Sequence, residues 1–581
     1  MDLFADIHAL ILGALAKLEA DGALPTGLDY SSVSIEPPRD PAHGDMATNA
    51  AMVLAKPAKL RPREIAEMLA DQLMEDPRIL TADIAGPGFL NLRLEKPVWA
   101  EVVRTIVTDS ERYGRSELGQ GKRVNVEFVS AYPTGPLHVS HTRGAVFGDA
   151  LANLLAYVGY AVTREYYIND FGAQVDTLAR SVYQRYLEAH GQEVEFPESG
   201  FAVDYVAALG QALKEQVGNV YVDRSEEIWL SDVRAFSTNA MMDLITSDLA
   251  AIGVGMDVFF SEKSLYGAGR IEAAIEDLRG KGLIYDGFLE PPEGGSPKDW
   301  EPREQTFFRS TDFGDDADRP VKNADNTWTY FAPDIAYHFD KISRGFDALV
   351  NVFGADYGSY VKRMKAVVSA LSDNHMPFDI KLTKPVRFFE HGEPYKMSKR
   401  PGAFNTLRNL VDRIGPDVTR FAMLTRRNDA ALDVDLAELL DQSKDNPVFN
   451  VQYAHAQVQS VLRKARQAGI PCEDADLAAV DLSGLIHDAE LTVAKRLAEW
   501  PRMVDIAART KEPHRIAFYL NDLASEFHAL WTKAGDVPEL RFVREDDLTV
   551  SAAKIALPRA VAVVISAGLG ILGVTPADEM R

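Results

Sequence analysis

The stretch Val124-Asn-Val-Glu-Phe-Val-Ser-Ala-Tyr-Pro-Thr-Gly-Pro-Leu-His-Val-Ser-His141 decides how this 581-residue chain reads. It opens with a short apolar run, turns at Pro133–Pro136, and ends on two histidines. Beyond it, Phe147, Leu151, Leu154, Leu155 and Val158 recur on one helical stripe. A strand that turns into a helix end offers free backbone N–H groups and a favourable dipole to a phosphate. At i and i+3, His138 and His141 can face one ligand. Two histidines alone are more often core or surface residues. A metal pair would need a third ligand, and no recognisable spacing supplies one, so no protein-bound metal is expected. Their place directly after the turn favours a phosphate role.

Far downstream, Lys396-Met-Ser-Lys-Arg400 follows the turn signal Gly392-Glu-Pro394 and precedes Pro401-Gly402. A loop bearing Lys396, Lys399 and Arg400 can close over a pyrophosphate leaving group and neutralise charge as it develops. Together the two segments suit a nucleoside triphosphate attacked at phosphorus.

The length predicts three or four domains. The composition, 46% hydrophobic and 25% charged, is that of a folded protein. Cys472 is the one cysteine, which excludes an internal disulfide and a cysteine-based zinc site and fits a reducing, cytoplasmic setting. Met1–Asp6 is acidic where a secretory signal would be basic, so an amphipathic helix is expected there. The apolar run Ala560–Val574 falls short of the roughly 18–20 residues of a membrane span and predicts a buried terminal helix of a soluble protein, and a monomer is expected. A net charge of -24 argues against indiscriminate nucleic-acid binding. The segment from Lys384 to Arg427 runs the other way, with ten Lys/Arg against four Asp/Glu. It reads as a solvated face or, beside the lysine loop, as a polyanion surface.

Residues 1–110 form a first α+β unit, with a Pro37-Pro38 break and a strand-like close at Gly86–Arg93. Across 115–445, the runs Val124–Val129, Thr163–Ile168 and Ala348–Phe353 alternate with helical patterns, which predicts an α/β, Rossmann-like parallel sheet. The looser stretch of about 185–309 reads as an insertion within that fold. After about Leu407 strand signals vanish, and 446–581 reads as an all-helical bundle that Asn446-Pro447 opens with a cap. At 100° per residue, Val451, Ala454, Val458, Val461, Leu462 and Ala465 share one face. Asn450, Tyr453, Gln457, Ser460 and Lys464 share the opposite, hydrogen-bonding one.

With its His-x-x-His and Lys-Met-Ser-Lys segments, the chain resembles the class I aminoacyl-tRNA synthetases. Among them it is similar to the arginyl-tRNA synthetase family over essentially its whole length. The likeness continues through His43–Ala51, Gly86–Phe89, Tyr167-Ile-Asn-Asp170, Tyr330–Tyr337, Tyr360-Val-Lys-Arg363, Asp445–Phe449 and Val451–His455. Asp417-Val-Thr-Arg-Phe421 resembles the motif that names the family's anticodon-binding domain. The resemblance implies an arginine–tRNA ligase that uses ATP with Mg2+, L-arginine and tRNA(Arg), and that needs bound tRNA for activation. The first unit would touch the tRNA elbow, and Asn450, Tyr453 and Gln457 on the bundle would meet anticodon bases. ATP would lie against Pro133, Gly135, Pro136, His138, Ser140 and His141 and under Lys396, Met397, Ser398, Lys399 and Arg400. His138, His141, Lys396 and Lys399 would carry catalysis. Arginine would lie among Glu127, Ser130, Tyr132, Tyr330 and Asp334, and a planar guanidinium needs such fixed carboxylates. For Glu127 the alternative is a strand carboxylate paired with a structural arginine.

Several positions depart from the family pattern. Ser140 replaces a glycine, where a hydroxymethyl group would cost about 1–3 kcal/mol by overpacking. Tyr132 replaces an asparagine, Lys384 a glutamine, Tyr395 an apolar residue and Asn450 an aromatic, while Tyr357 and Ser359 alter the segment after a sheet strand. These leave open a working ligase whose neighbours compensate, a weakened paralogue, or a tRNA-binding protein without catalysis.

Overall fold

In the computed structural model, residues 2–194, 201, 204–288, 304–395, 406–441, 446–544 and 547–580 are described. The chain begins with helix Leu3–Ala20, which Asp2 caps by accepting from the Ala5 N–H. A four-stranded antiparallel sheet follows, in the order Ile35–Glu36, Met46–Thr48, Phe89–Leu94, Ile79–Ala85. Helix Lys96–Thr108, expected inside this unit, docks instead on the C-terminal bundle. Arg104 donates to the carbonyls of Ala478 and Val480, and Val98, Trp99, Val102, Val103, Ile106 and Val107 are buried along it.

The central sheet has five parallel strands in the order Phe378–Thr383, Ala348–Gly354, Arg123–Glu127, Ala161–Ile168, Val258–Ser261. From Arg123–Glu127 the chain winds outward one way through Ala161–Ile168 to Val258–Ser261, and later returns to the other side. The crevice beyond the carboxyl ends of Arg123–Glu127 and Ala348–Gly354 is therefore a topological switch point, where open α/β sheets bind ligands. Helix His141–Tyr157 packs tightly over this strand: a Cβ on Gly148 would lie 2.2 Å from the Phe128 ring.

The stretch 185–309 is not one insertion. Helices Ala173–Ala189, Asp204–Val217 and Glu226–Ala251 form a module with its own apolar core, in which Tyr183 and Trp229 stack at 3.8 Å. The chain then rejoins the central sheet at Val258–Ser261, a run of four residues too short to stand out in the sequence. A small antiparallel sheet of Ile284–Phe288, Glu304–Phe308 and Arg319–Lys322 comes next.

Strand pairing also continues past Leu407. Leu432–Asp435 runs parallel to Val386–Glu390, and its Leu-Asp-Val-Asp alternation suits a strand with one wet face. The bundle opens at Asn446, whose side chain accepts from the Val448 and Phe449 N–H groups, with Pro447 at the first helical position. Helix Leu548–Leu572 is long and apolar enough to cross a membrane, but it packs inside the bundle.

Among its described residues, most arginines of the basic segment are paired with acids. Arg387 pairs with Asp433, Arg408 with Asp248, Arg413 with Glu390, Arg420 with Asp149 and Arg427 with Asp429. Arg420, from the motif that resembles the anticodon-domain signature, is buried. It donates to the carbonyls of Leu572 and Ile252, so it joins the bundle to the catalytic unit.

Candidate active site

A cleft of about 560 Å³ lies at the switch point, and Glu127, Ser130, Tyr132, Tyr330 and Asp334 all line it. Its floor is the turn after strand Arg123–Glu127. Val129 and Ser130 hold positive φ angles of 69° and 42°, a strained conformation for non-glycine residues. Three hydrogen bonds fix this turn. The Ser130 hydroxyl donates to Glu127 Oε1 at 3.1 Å and accepts from the Tyr167 N–H at 3.1 Å, and Asn169 Nδ2 donates to the Ser130 carbonyl at 2.9 Å.

Glu127 does not wait for a substrate. Lys341 Nζ, fully buried, donates to its Oε2 at 2.7 Å. The structure thus favours the structural pairing of this strand carboxylate, with lysine as the partner. Glu262, which the sequence reading missed, is a further carboxylate of this cleft. It follows strand Val258–Ser261 directly and lines the same cleft. Among the described residues neither Glu262 nor Asp334 has an ion pair. Tyr360 donates its hydroxyl to Asp334, and Tyr266 reaches Glu262 only at 3.4 Å. Burial, then their mutual repulsion, pushes Glu262 up to about 7; burial likewise pushes Asp334 up to about 7. Two carboxylates without a cation, walled by Tyr167, Tyr337 and Tyr360, form an acidic slot with aromatic faces. Tyr330 stands at its rim, 72% exposed, with its hydroxyl accepting from Arg363 at 2.8 Å.

At the other end, Ser140 and His141 line the cleft, while His138 stands outside the lining, exposed and bridged to Thr406. The His138 backbone N–H donates to His141 Nδ1 at 3.1 Å, and the Ser140 N–H donates to His138 Nδ1 at 3.1 Å. With each Nδ1 accepting, each Nε2 carries the hydrogen. Burial lowers both imidazole pKa values, so the rings act as neutral, directed donors. Pro133 is buried, and the turn Gly135-Pro136 lies under Tyr205, whose hydroxyl donates to the Thr134 carbonyl at 2.7 Å. A Cβ on Gly135 would sit 2.8 Å from that hydroxyl, so any larger residue here would displace the Tyr205 tip.

Ser140 has φ -65° and ψ -25°, an ordinary helical conformation that needs no glycine, and its Oγ lies 3.0 Å from His138 Nδ1. Tyr132 and Tyr357, both about half exposed, line the cleft together with Lys384. Lys396, Met397, Ser398, Lys399 and Arg400 lie outside the described residues.

On the bundle, the expected hydrogen-bonding surface is partly interior: Asn450 and Gln457 are buried, whereas Tyr453 and Lys464 are exposed. Asn450 is buried and donates to Asn521 Oδ1 at 3.0 Å, and Gln457 is buried against His528 at 2.9 Å. Both tie helix Pro447–Gln467 to helix His514–Asp536, so neither is free to meet a base. Tyr453 alone of the three is exposed, in a ladder of rings with Phe449 at 5.4 Å and His528 at 5.6 Å.

Three family models match: the arginyl tRNA synthetase N terminal domain over residues 5–94, the class I (R) tRNA synthetase catalytic domain over 102–413, and the DALR anticodon binding domain over 451–580. The arginine–tRNA ligase of Ruegeria pomeroyi is 66% identical over 581 residues, with 100% of both chains covered. The chain belongs to the arginyl-tRNA synthetase family. The arginine–tRNA ligase of Paracoccus denitrificans is 64% identical, again over both full lengths. In fold, the chain is similar to the Thermus thermophilus arginyl-tRNA synthetase, with a TM-score of 0.71 at 20% identity and full coverage of both chains. Family membership accounts for the catalytic unit that holds the cleft and for the helical bundle. The departures at Tyr132, Ser140, Tyr357 and Lys384 all fall on residues lining that cleft.

Proposed function

We propose how the cleft carries out the family reaction and which residues do the work. As a member of the family the chain is an arginine–tRNA ligase, a class I synthetase that uses ATP. The observation that carries the residue assignment is one cleft with an uncompensated acidic slot at one end and neutral imidazole donors at the other. Asp334 and Glu262 take the arginine guanidinium, with Tyr330 at the rim. Ser130 and Glu127 hold the floor, and Tyr132 borders the amino acid's backbone groups. An analogue without the guanidinium leaves two buried carboxylates unpaired, which is how polar sites reject strongly.

Arginine's carboxylate attacks the α-phosphorus of ATP, giving arginyl-adenylate and pyrophosphate. An ionised carboxylate needs no general base, so positioning and electrostatics supply the rate. His138 and His141 donate from Nε2 to the phosphoryl oxygens, with the Pro133, Gly135 and Pro136 turn and Ser140 beside the nucleotide. Lys396 and Lys399, with Met397, Ser398 and Arg400, steady the pyrophosphate. Mg2+ arrives with ATP as its counter-ion. Among the described residues, no group of three or more His, Cys, Asp or Glu side chains could hold a metal ion. The terminal ribose hydroxyl of tRNA(Arg) then attacks the arginyl carbonyl and AMP leaves.

The first unit contacts the body of the tRNA, and the Phe449, Tyr453 and His528 rings offer a surface on which anticodon bases stack. A cytoplasmic monomer is the working state. The deciding experiment is aminoacylation of purified tRNA with each of the twenty amino acids. Ester formation with arginine alone is expected; uncharged tRNA in every reaction, or charging with another amino acid, sinks the reading.

A further inference from the structure

Four carboxylates border the cleft (Glu127, Glu262, Asp334 and Asp356), and among the described lining residues Lys384 is the one lysine or arginine. A triphosphate brought into so acidic a cleft meets repulsion that neutral imidazoles do not cancel. Lys384 is exposed on the side of the cleft that also holds Ser140 and His141, and no described carboxylate pairs with it. Its backbone is pinned on both sides. The Lys384 N–H donates to the Asn428 carbonyl at 2.9 Å, and the Lys384 carbonyl accepts from Arg143 Nη1 at 2.8 Å.

Arg143 is itself unusual. It lies in the first turn of the histidine helix, two residues past His141, and is only 1% exposed. No carboxylate pairs with it among the described residues. Its guanidinium spends its donors on backbone carbonyls instead: Lys384 and Ala430 at 2.8 Å and Arg427 at 2.7 Å. Burial pulls its pKa down to about 10. A buried guanidinium without a counter-ion is costly, and three carbonyls on two separate segments are what compensate it. One rigid side chain thus fixes the distance between His141 and the backbone of Lys384.

We propose that Lys384 is a further triphosphate-binding residue of this cleft and that Arg143 is the positioning residue that sets it against His141. The inference rests on the reading of the cleft as the ATP site.

The test is ATP–pyrophosphate exchange with arginine and tRNA present, over a range of salt concentrations. Lys384→Gln raises KM for ATP about five- to tenfold and leaves KM for arginine unchanged. The gap between variant and parent narrows as salt screens the charge, and Lys384→Arg keeps most of the parent's ATP affinity. Arg143→Lys raises KM for ATP by a similar factor, and the double variant adds little to either single one, as expected of two residues that act through one contact. An unchanged KM for ATP in Lys384→Gln overturns the role of Lys384. Equal rises in both KM values for Arg143→Lys, with a lowered Tm, reduce Arg143 to a structural residue. Should the parent show no exchange at all, equilibrium dialysis with Mg-ATP separates the cases. Binding that weakens in Lys384→Gln sustains the inference while the reading of a working ligase fails, and no ATP binding by the parent overturns both.

Discussion

Two sets of acids, one buried and one half-buried, sit within the same catalytic unit and have opposite fates. Under the sheet, each is fully compensated. Glu127 has Lys341 at 2.7 Å; Glu165 takes a two-pronged contact from Arg344 at 2.7 and 2.8 Å; Asp149 holds Arg420 and Arg164. At the mouth of the sheet, Glu262 and Asp334 face one another with hydroxyl contacts but no cation. Paired acids are architecture, because removing the partner would strand a charge. Unpaired acids are a binding site, because a ligand must bring the partner. Their raised pKa values measure that deficit, whereas Arg344 and its neighbours hold Glu165 below the usual carboxylate range despite its burial.

The contrast is broken most severely at Asp334. Asp334→Asn should lower kcat/KM for arginine about a thousandfold, from the roughly 3–5 kcal/mol lost when one member of a buried ion pair disappears. The fold should survive, since no ion pair among the described residues depends on this carboxylate, so the circular dichroism spectrum should match the parent's. Glu127→Gln tests the other half. It strands the buried Lys341 ammonium and should reduce unfolding free energy by about 3–5 kcal/mol in denaturant titration. A thousandfold loss of arginine affinity in a fully stable Glu127→Gln would instead make Glu127 the guanidinium ligand.

The pH dependence sharpens the same comparison. In the free enzyme Asp334 and Glu262 gain protons as pH falls through about 7, so kcat/KM for arginine should drop by up to tenfold per unit below that point, and more steeply where both titrate. At saturating arginine the guanidinium holds them ionised, and kcat should change less. Stability moves the other way. A carboxyl whose folded pKa is raised binds more protons folded than unfolded, so these two groups cost stability progressively as pH rises from about 4 to about 7. Stability profiles of the parent and of Asp334→Asn should diverge over that window; parallel profiles would place the raised acid elsewhere.

What was legible in the sequence follows from how local its cause is. The strands Arg123–Glu127, Ala161–Ile168 and Ala348–Gly354 show through their β-branched and aromatic residues (Val124 and Val126; Val162, Tyr166 and Tyr167; Val350 and Val352) set between helical patterns. The edge strand Val258–Ser261 is short and keeps Phe259 39% exposed, so its signal merges with the flanking helices. With that strand unseen, Glu262 had no visible place beyond a strand's carboxyl end. Glu127 looked like a ligand because its partner Lys341 stands 214 residues away. Asn450 and Gln457 lie opposite the apolar stripe as the helical period requires, but helix His514–Asp536 covers that side too. Periodicity locates one buried face and is silent about a second.

That second face yields the smallest predicted effect. Tyr453 is 41% exposed in a ladder of rings with Phe449 and His528, and it is the exposed ring of that ladder that would meet an unstacked base. Stacking of a base on an aromatic side chain is worth about 1–3 kcal/mol, so Tyr453→Ala should weaken tRNA binding about tenfold in a filter or polarisation assay. Asn450→Ala deletes hydrogen bonds to Asn521 and Ser525 inside the bundle and should cost about 1 kcal/mol of stability while tRNA affinity holds. The two neighbours are three residues apart on one helix, so the pair isolates exposure from chemistry. If Asn450→Ala weakened tRNA binding as much as Tyr453→Ala at equal stability, the bundle would have to open on binding, and the ring ladder would not be the surface that bases meet.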